Sequence, residues 1–283
     1  VKLLTWNIQW GRGMDGRVDL DRLLREIRAM ADFDVICLQE VAVNFPGLPG
    51  SAGEDEMAVL AAGLPGYAPV YGAATDLPDG RGGRKRFGNA IFSRLPVGQV
   101  WRHLLPWPVD PEVPSMQRVL VEAVLEAEFG PLRVMTTHLE YYSRVQREAQ
   151  IDAIRTLHAE ACGHARRPRL GKGEGGGSFE VFARPASAIV CGDMNYPAEA
   201  AERARMLAPY ADGTPAWRDA WSVLHGAAGH AATVGVHKVD WVDRPCCFDF
   251  VFLTEDLAAR LRGHHVNAAT AASDHQPVWI ELA

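Results

Sequence analysis

Short apolar runs rich in Val, Ile, Leu and Phe recur along the chain, separated by polar stretches. They predict β-strands at about 2–9, 34–39, 87–94, 97–104, 118–128, 131–138, 187–192, 248–254 and 277–282. A helical period replaces this pattern from Asp19 to Ala31, where Leu20, Leu23, Leu24, Ile27 and Met30 fall on one face. A second helix is predicted from Ser143 towards Cys162. Ser143 and Gln146 form a capping-box pair there, and Val145, Ala149, Ile154 and Leu157 supply an apolar side. Pro168–Ser178 holds five glycines and reads as a surface loop. No repeat of fixed period is present. Many strands at hairpin-like spacing, broken by few helices, predict packed sheets with helices outside them.

A chain of 283 residues buries a sizeable core and fits either one large two-sheet domain or two smaller ones. Apolar residues make up 48%, yet no apolar run is long enough to span a bilayer. The sequence opens on a strand-like segment, Val1–Ile8, with no charged leader or cleavage site before it, and is read as cytoplasmic. Cys37, Cys162, Cys191, Cys246 and Cys247 lack metal-type spacing and are read as reduced thiols. A net charge of −6 argues against a protein that coats duplex DNA by electrostatics alone, but not against a nuclease. The basic stretch Arg81, Arg84, Lys85 and Arg86 reads as a solvated turn, with a phosphate contact as the other reading.

Gly11-Arg12-Gly13-Met14-Asp15-Gly16 fits the G-x-G-x-x-G fingerprint of dinucleotide-binding proteins. The context argues against it. Asn7, Gln9 and Trp10 stand where a buried parallel strand would be apolar, and the helix starts only at Asp19, so its N-terminus is not wrapped by the glycines. A second match, Gly171–Gly176, has no strand before it and reads as a flexible loop.

The candidate chemistry sits at strand ends, where side chains are held rigidly with their tips open to solvent. In chain order the polar clusters are Thr5-Trp6-Asn7-Ile8-Gln9, Leu38-Gln39-Glu40, Thr137-His138-Leu139, Gly192-Asp193-Met194-Asn195, Phe248-Asp249-Phe250 and Ser273-Asp274-His275-Gln276-Pro277. Glu40, just beyond a buried strand, is an oxygen ligand suited to Mg²⁺ or Mn²⁺. Asp193 and Asn195, two apart, share a face if the chain is extended, where a carboxylate and an amide can activate water and hold a phosphoryl oxygen. Asp274 and His275 are adjacent, so one can bind metal while the other meets substrate. Asp249 can orient either His275 or His138 and favour its charged form. Taken singly, each of these residues is commonly a turn former or cap. Folding alone does not explain all six clusters in this order.

This series resembles the endonuclease/exonuclease/phosphatase (deoxyribonuclease I-like) family. Gly-Asp-Met-Asn and Ser-Asp-His-Gln-Pro-Val are the most specific segments, Phe87–Arg94 matches a supporting strand, and the likeness runs from Trp6 to Val278. It implies a single domain over 1–283 with an α/β, four-layer sandwich fold: two packed, mostly antiparallel β-sheets flanked by helices, with the site at one end. By motif, Asn7, Glu40 and Asp274 resemble the metal-site residues, Asp193 the residue that activates the nucleophile, and Asn195 the one that places the phosphate. His138 and His275 resemble the histidines flanking the scissile phosphate, and Asp249 the partner of the terminal histidine. Cys247 stands where the family often has a basic residue. Gln9 replaces an acid, and His138 is added, relative to AP endonucleases, which argues against that activity.

The expectation is therefore a hydrolase of phosphodiesters or phosphomonoesters using Mg²⁺ or Mn²⁺. Its substrate would be a nucleic acid, a lipid or a sugar or inositol phosphate, chosen by the loops Phe45–Gly53, Asp76–Arg86, Trp101–Ser115 and the glycine-rich loop. Trp101 and Trp107 are read either as stacking platforms or as loop packing. The alternatives are a non-catalytic binding module on the same fold and, on the fingerprint alone, a dinucleotide-binding protein.

Overall fold

A computed structural model describes residues 1–171 and 177–283. The remaining stretch takes in most of the glycine-rich loop and of the Gly171–Gly176 fingerprint match, which therefore lie outside the described residues. The strands in chain order begin with β1 (Lys2–Asn7), β2 (Val35–Val43), β3 (Ala68–Pro78), β4 (Arg84–Ser93), β5 (Val97–Leu104) and β6 (Val119–Ala127). They continue with β7 (Gly130–His138), β8 (Ala188–Asp193), β9 (Arg218–Asp219), β10 (Asp249–Leu253), β11 (Leu261–Val266) and β12 (Val278–Leu282). The helices are α1 (Leu20–Met30), α2 (Glu56–Gly63), α3 (Arg144–Arg166), α4 (Ala201–Leu207), α5 (Ala220–His225) and α6 (Glu255–Ala258).

The strands form two six-stranded sheets, ordered β11-β12-β1-β2-β4-β3 and β5-β6-β7-β8-β10-β9. Each sheet is antiparallel except for one central parallel pair, β1 with β2 and β7 with β8. A parallel pair needs a crossover, and α1 and α3 lie in those two connections. Alternation along the central strands sorts the layers. Leu3, Val35, Cys37 and Ile91 of one sheet meet Val121, Val134, Cys191 and Val251 of the other, while Leu4, Ile36 and Leu38 pack under Leu23, Leu24 and Ile27 of α1. On the far side Leu120, Met135, Val190 and Phe252 pack under Ile151 and Ile154 of α3. Helices cover both outer faces, so the sandwich has four layers, as the sequence implied. Between the sheets, the buried amide of Gln39 donates to Thr5 Oγ1 at 3.1 Å and to Thr136 Oγ1 at 2.8 Å, tying one sheet to the other. No helix among the described residues is long and apolar enough to cross a membrane. None of the five cysteines is in a disulfide, and four of them are buried.

Helix α1 matches its expected bounds, with Asp19 Oδ1 accepting from the Arg22 amide at 2.8 Å as its N-cap. In α3 the expected cap forms only by half. Ser143 Oγ accepts from the Gln146 amide at 3.2 Å, but the Gln146 side chain turns away to Pro108 O and Ser115 Oγ. The buried stripe of α3 also differs from expectation, because Val145 is 60% exposed whereas Gln146, Gln150 and His158 are buried. Gln150 and His158 are partnered on both polar atoms and Gln146 through its Nε2, so a stripe that looks like surface in the sequence faces inward.

His158 carries a consequence for acid stability. Its Nδ1 takes a hydrogen bond from Arg133 Nη2 at 2.7 Å, and its Nε2 donates to Pro215 O at 2.9 Å. Burial, with Arg133 beside it, pushes its pKa down from 6.5 to about 4. A depressed histidine leaves stability unaffected above the unfolded value and removes it as pH falls from 6.5 towards 4, where the unfolded chain binds the extra proton. Between pH 7.5 and 5.0 this group should remove about 2 kcal/mol. His158→Gln should therefore lose about 2 kcal/mol less than wild type across that interval in urea unfolding. The same pH dependence in both proteins would show that His158 is not held neutral.

Candidate active site

Five strand ends and a bulge within a sixth strand converge on one edge of the sandwich. Strands β1, β7 and β8 finish at Asn7, His138 and Asp193, and β10 starts at Asp249, which lies across from Asp193 in register. His138 lies opposite Asp193 in the parallel pair. Asp274 and His275 lie in the approach to β12. Close packing of β7 on β8 requires Gly192, since a Cβ there (φ +135°) would sit 1.9 Å from Thr137 O. Glu40 was expected just past the end of its strand. Instead β2 continues to Val43, and the register slips between Leu38 and Val41, with Glu40 in a left-handed conformation (φ 60°). Such a bulge re-aims a side chain without ending the strand.

Asn7 links the two halves of the cluster. Its Nδ2 donates to Glu40 Oε1 at 3.1 Å and to Asp193 Oδ2 at 3.0 Å, while its Oδ1 accepts from the Gln9 amide. The two histidines flank the same carboxylate. His138 Nε2 is 3.3 Å and His275 Nε2 3.5 Å from Asp193 Oδ2, and His138 Nδ1 lies 3.6 Å from Glu40. His275 Nδ1 meets Asp249 Oδ2 at 2.8 Å, so Asp249 couples to His275 and not to His138. Asp274 accepts from Gln9 Nε2 at 2.7 Å, which gives the amide at position 9 a use that an acid there would lack. All eight residues singled out from the sequence thus lie in this one cluster. Asn195 reaches it by a different route from the one expected. It lies beyond β8 in a left-handed turn (φ 53°), its amide bonds Asp193 Oδ1 at 2.9 Å, and its Nδ2 donates to Leu139 O at 2.8 Å. Strand alternation therefore does not align the pair; a turn closed by Asp193 does.

Burial and crowding of like charges set the ionisation. Glu40 is pushed up to about 7 by burial and by Asp274, and Asp193 up to about 6 by burial, against the pull of His275. The two histidines diverge. Burial, with Arg118 and His275 nearby, holds His138 well below the ordinary histidine value, so it is neutral. Burial also opposes the His275 cation, but Asp249 and Asp193 outweigh it and raise its pKa well above the ordinary value.

Several supporting residues carried no legible signal. Thr233 Oγ1 accepts the amides of Phe248 and Asp249 at 3.0 and 3.1 Å, and Thr233 O accepts the Gln276 amide at 2.7 Å, so one residue anchors both ends of the Asp249–His275 couple. Ser273 Oγ donates to Asn7 O at 2.8 Å. Trp241 lies against His275 with ring centroids 5.7 Å apart and planes at 24°, and Tyr141 donates to Trp241 O. Only the contiguity of Ser273 with the Asp274–His275 motif was readable in advance. Cys247, where a basic residue was expected, is buried and donates to Asp249 O at 3.3 Å. Trp101 lies in β5 under the Arg184 guanidinium and, with Pro131 and Pro185, lines a cavity of about 520 Å³ at the strand ends opposite the candidate site. In the basic stretch Arg84 pairs with Asp76 at the surface and Lys85 covers the Phe45 ring. The glycine fingerprint forms a closed loop, with the Gly13 amide on Arg17 O, and no helix starts from it.

The donor chemistry fits a hard divalent cation. Glu40 and Asp274 offer carboxylate oxygens and Asn7 an amide oxygen that here accepts from the Gln9 amide, and the Glu40 pKa, raised first by burial and then by Asp274, is one that a bound cation would lower. Asp193, Asp249 and His275 also bring one ligand atom each within 4.8 Å of one another. That trio suits a metal less well, because His275 Nδ1 is engaged by Asp249 and the ring is cationic.

Two sheets with helices outside them and an acid–imidazole cluster at one end define the class of deoxyribonuclease I-like sandwich proteins. The sequence profile of the Endonuclease/Exonuclease/phosphatase family matches residues 4–275, and the chain belongs to that family. No curated protein matches it by sequence. Among solved structures it is similar to an endonuclease/exonuclease/phosphatase from Beutenbergia cavernae, at 24% identity and a TM-score of 0.69, over 99% of this chain and 70% of that one. It is also similar to a mannosyl-6-phosphatase from Bacteroides thetaiotaomicron, at 16% identity and a TM-score of 0.64, over 100% and 99% of the two chains. TDP2 from D. rerio, complexed with a single-strand DNA product, aligns at 19% identity and a TM-score of 0.63, over 99% and 97%. These likenesses are of fold.

Proposed function

We propose that residues 1–283 form one catalytic domain that hydrolyses phosphoric esters with the help of a divalent cation. The observation that carries this reading is the Asn7 amide shared between a half-buried Glu40 and a buried Asp193 from different sheets, with a neutral and a cationic histidine beside them. Glu40 and Asp274, with Asn7, would hold Mg²⁺ or Mn²⁺, which neutralises phosphate charge and stabilises the leaving oxygen. Asp193 takes the proton from the water that attacks phosphorus in line, as the bond to the leaving oxygen breaks. His275, kept cationic by Asp249, balances the charge that builds on the phosphoryl oxygens. Asn195 holds its turn through Leu139 O and keeps a second amide hydrogen for the phosphate. His138, neutral, fixes Asp193 from the other side. The names of the B. thetaiotaomicron and D. rerio proteins add sugar phosphates and nucleic acid as substrate classes to test, with lipid and inositol phosphates beside them.

Chelation tests the reading. After EDTA treatment, turnover of bis(4-nitrophenyl) phosphate and 4-nitrophenyl phosphate should fall at least ~10-fold, and Mg²⁺ or Mn²⁺ should restore it. Full activity after exhaustive chelation rejects the metal. Absence of turnover on every nucleic acid, lipid and sugar phosphate ester, with metal present, favours the binding module.

A further inference from the structure

Beyond Gln39, strand β2 loses one neighbour, because β1 ends at Asn7, opposite Gln39. On its other side it slips against β4: Leu38 pairs with Ala90 and Val41 with Gly88, so three steps along β2 match two along β4. Glu40 lies in the slipped stretch at φ 60°. The peptide that follows it, between Val41 and Ala42, is buried, and side chains from two other elements meet its polar groups. Val41 O accepts from Tyr71 Oη of β3 at 3.1 Å, and the Ala42 amide donates to Glu56 Oε2 of α2 at 2.8 Å.

Glu56 is an unusual group for this duty. It is 0% exposed, and its other oxygen, Oε1, has no hydrogen-bond partner among the described residues. Burial pushes its pKa up to about 8, against the pull of the Ala42 amide, so the group is uncharged at neutral pH. A carboxyl buried with one oxygen unmet is a poor device for joining a helix to a sheet, and its single bond goes to the bulge. Its place is fixed from outside. Asp55 Oδ1 caps α2 by accepting the Ala58 amide at 3.0 Å, and the Asn44 amide donates to Glu54 O at 2.9 Å, which ties the start of α2 to the end of β2. Burial raises the Tyr71 phenol too, so it remains a donor.

We propose that Glu56 is a positioning residue for Glu40: with Tyr71 it clamps the peptide after Glu40 and so fixes the direction in which the bulge points that carboxylate. The proposal rests on the reading of Glu40 as a ligand of the divalent cation. A left-handed residue persists only where its surroundings hold it, and a metal ligand whose supports are removed loses affinity. Among the described residues, neither Glu56 nor Tyr71 is hydrogen-bonded by its side chain to a residue of the site, so their effect passes through the backbone.

Metal binding tests it, with turnover as a second measurement. Mn²⁺ is titrated calorimetrically into wild type, Glu56→Leu, Glu56→Gln, Tyr71→Phe and the Glu56→Leu/Tyr71→Phe double variant, each first stripped by chelation. Values of kcat and KM for bis(4-nitrophenyl) phosphate are then taken over a range of Mn²⁺ concentrations. Glu56→Leu should bind Mn²⁺ at least roughly 10-fold more weakly than wild type. Glu56→Gln still offers an oxygen to the Ala42 amide and should stay within about threefold. Tyr71→Phe should lose about threefold or more, and the double variant little beyond Glu56→Leu, because both bonds hold one peptide. Excess Mn²⁺ should return most of the lost kcat with KM unchanged, which a disordered fold would not allow. A folded Glu56→Leu variant that binds Mn²⁺ within about threefold of wild type overturns the proposal, as does a Glu56→Gln variant that falls as far as Glu56→Leu. If Glu56→Leu does not fold, Tyr71→Phe decides: a loss of about threefold or more supports the clamp, and a smaller one rejects it. Wild-type protein that takes up no Mn²⁺ removes the metal reading of the site and the proposal with it. Variants that lose Mn²⁺ in a protein that hydrolyses no ester leave the clamp standing and remove the hydrolase reading instead.

Discussion

Asp193→Asn should lower kcat by roughly 10²–10⁴ and leave KM within a few-fold of wild type. The side chain is the meeting point of the cluster, approached by Asn7, His138 and His275 through one oxygen while the other caps the turn to Asn195. An amide keeps the shape but cannot take a proton from water. The fold should not suffer in the same measure. Asp193 is held up at about 6 by burial, so its charge opposes folding in the metal-free protein, and neutralising it relieves that opposition. Thermal melting without metal should stay within a few degrees of wild type. A variant that keeps its rate, or one that loses its cooperative melt, would show that Asp193 serves the fold and not the chemistry.

Asp249→Asn should cost on the order of 10²–10³ in kcat with little change in KM, because the residue acts through His275 and does not bind substrate itself. The backbone that carries it is pinned independently by the Thr233 hydroxyl, so an isosteric side chain should sit where the carboxylate does. It would still accept from His275 Nδ1 but would no longer hold the ring cationic. Steady-state kinetics beside His275→Gln and the double variant provide the check. If the couple works as a unit, the second substitution should add little to the first. Independent, multiplicative losses would separate the two residues.

The residues of the site were legible because they are polar groups at or just beyond apolar runs, and the order of strands in the chain was legible for the same reason. Their connections were not. Asp249 had two histidines open to it in the sequence, and only the register that sets it across from Asp193, with Thr233 tying its strand to the Gln276 backbone, brings it to His275. Strand β3 went unread because Pro69, Gly72 and Asp76 interrupt its alternation, as an edge strand with one partner permits. β11, the other edge of that sheet, carries Gly263, His264 and His265 and was hidden likewise. Gln146, Gln150 and His158 look like surface in a helical wheel, and only their distant partners explain their burial.

In the first sheet β12 lies between β11 and β1, and Lys2 pairs with Glu281. Vectorial synthesis therefore delivers β1 long before the strand that covers its open edge. At 5–20 residues per second that edge waits roughly 15–60 s on the ribosome, an unpaired apolar ladder of the kind that recruits other chains. Asp274 and His275 arrive only moments ahead of β12, so a nascent chain paused short of them is adhesive and inert together. The strand that covers the β1 edge is the one that draws Asp274 and His275 into place, so closing this edge of the first sheet and completing the candidate site are one event.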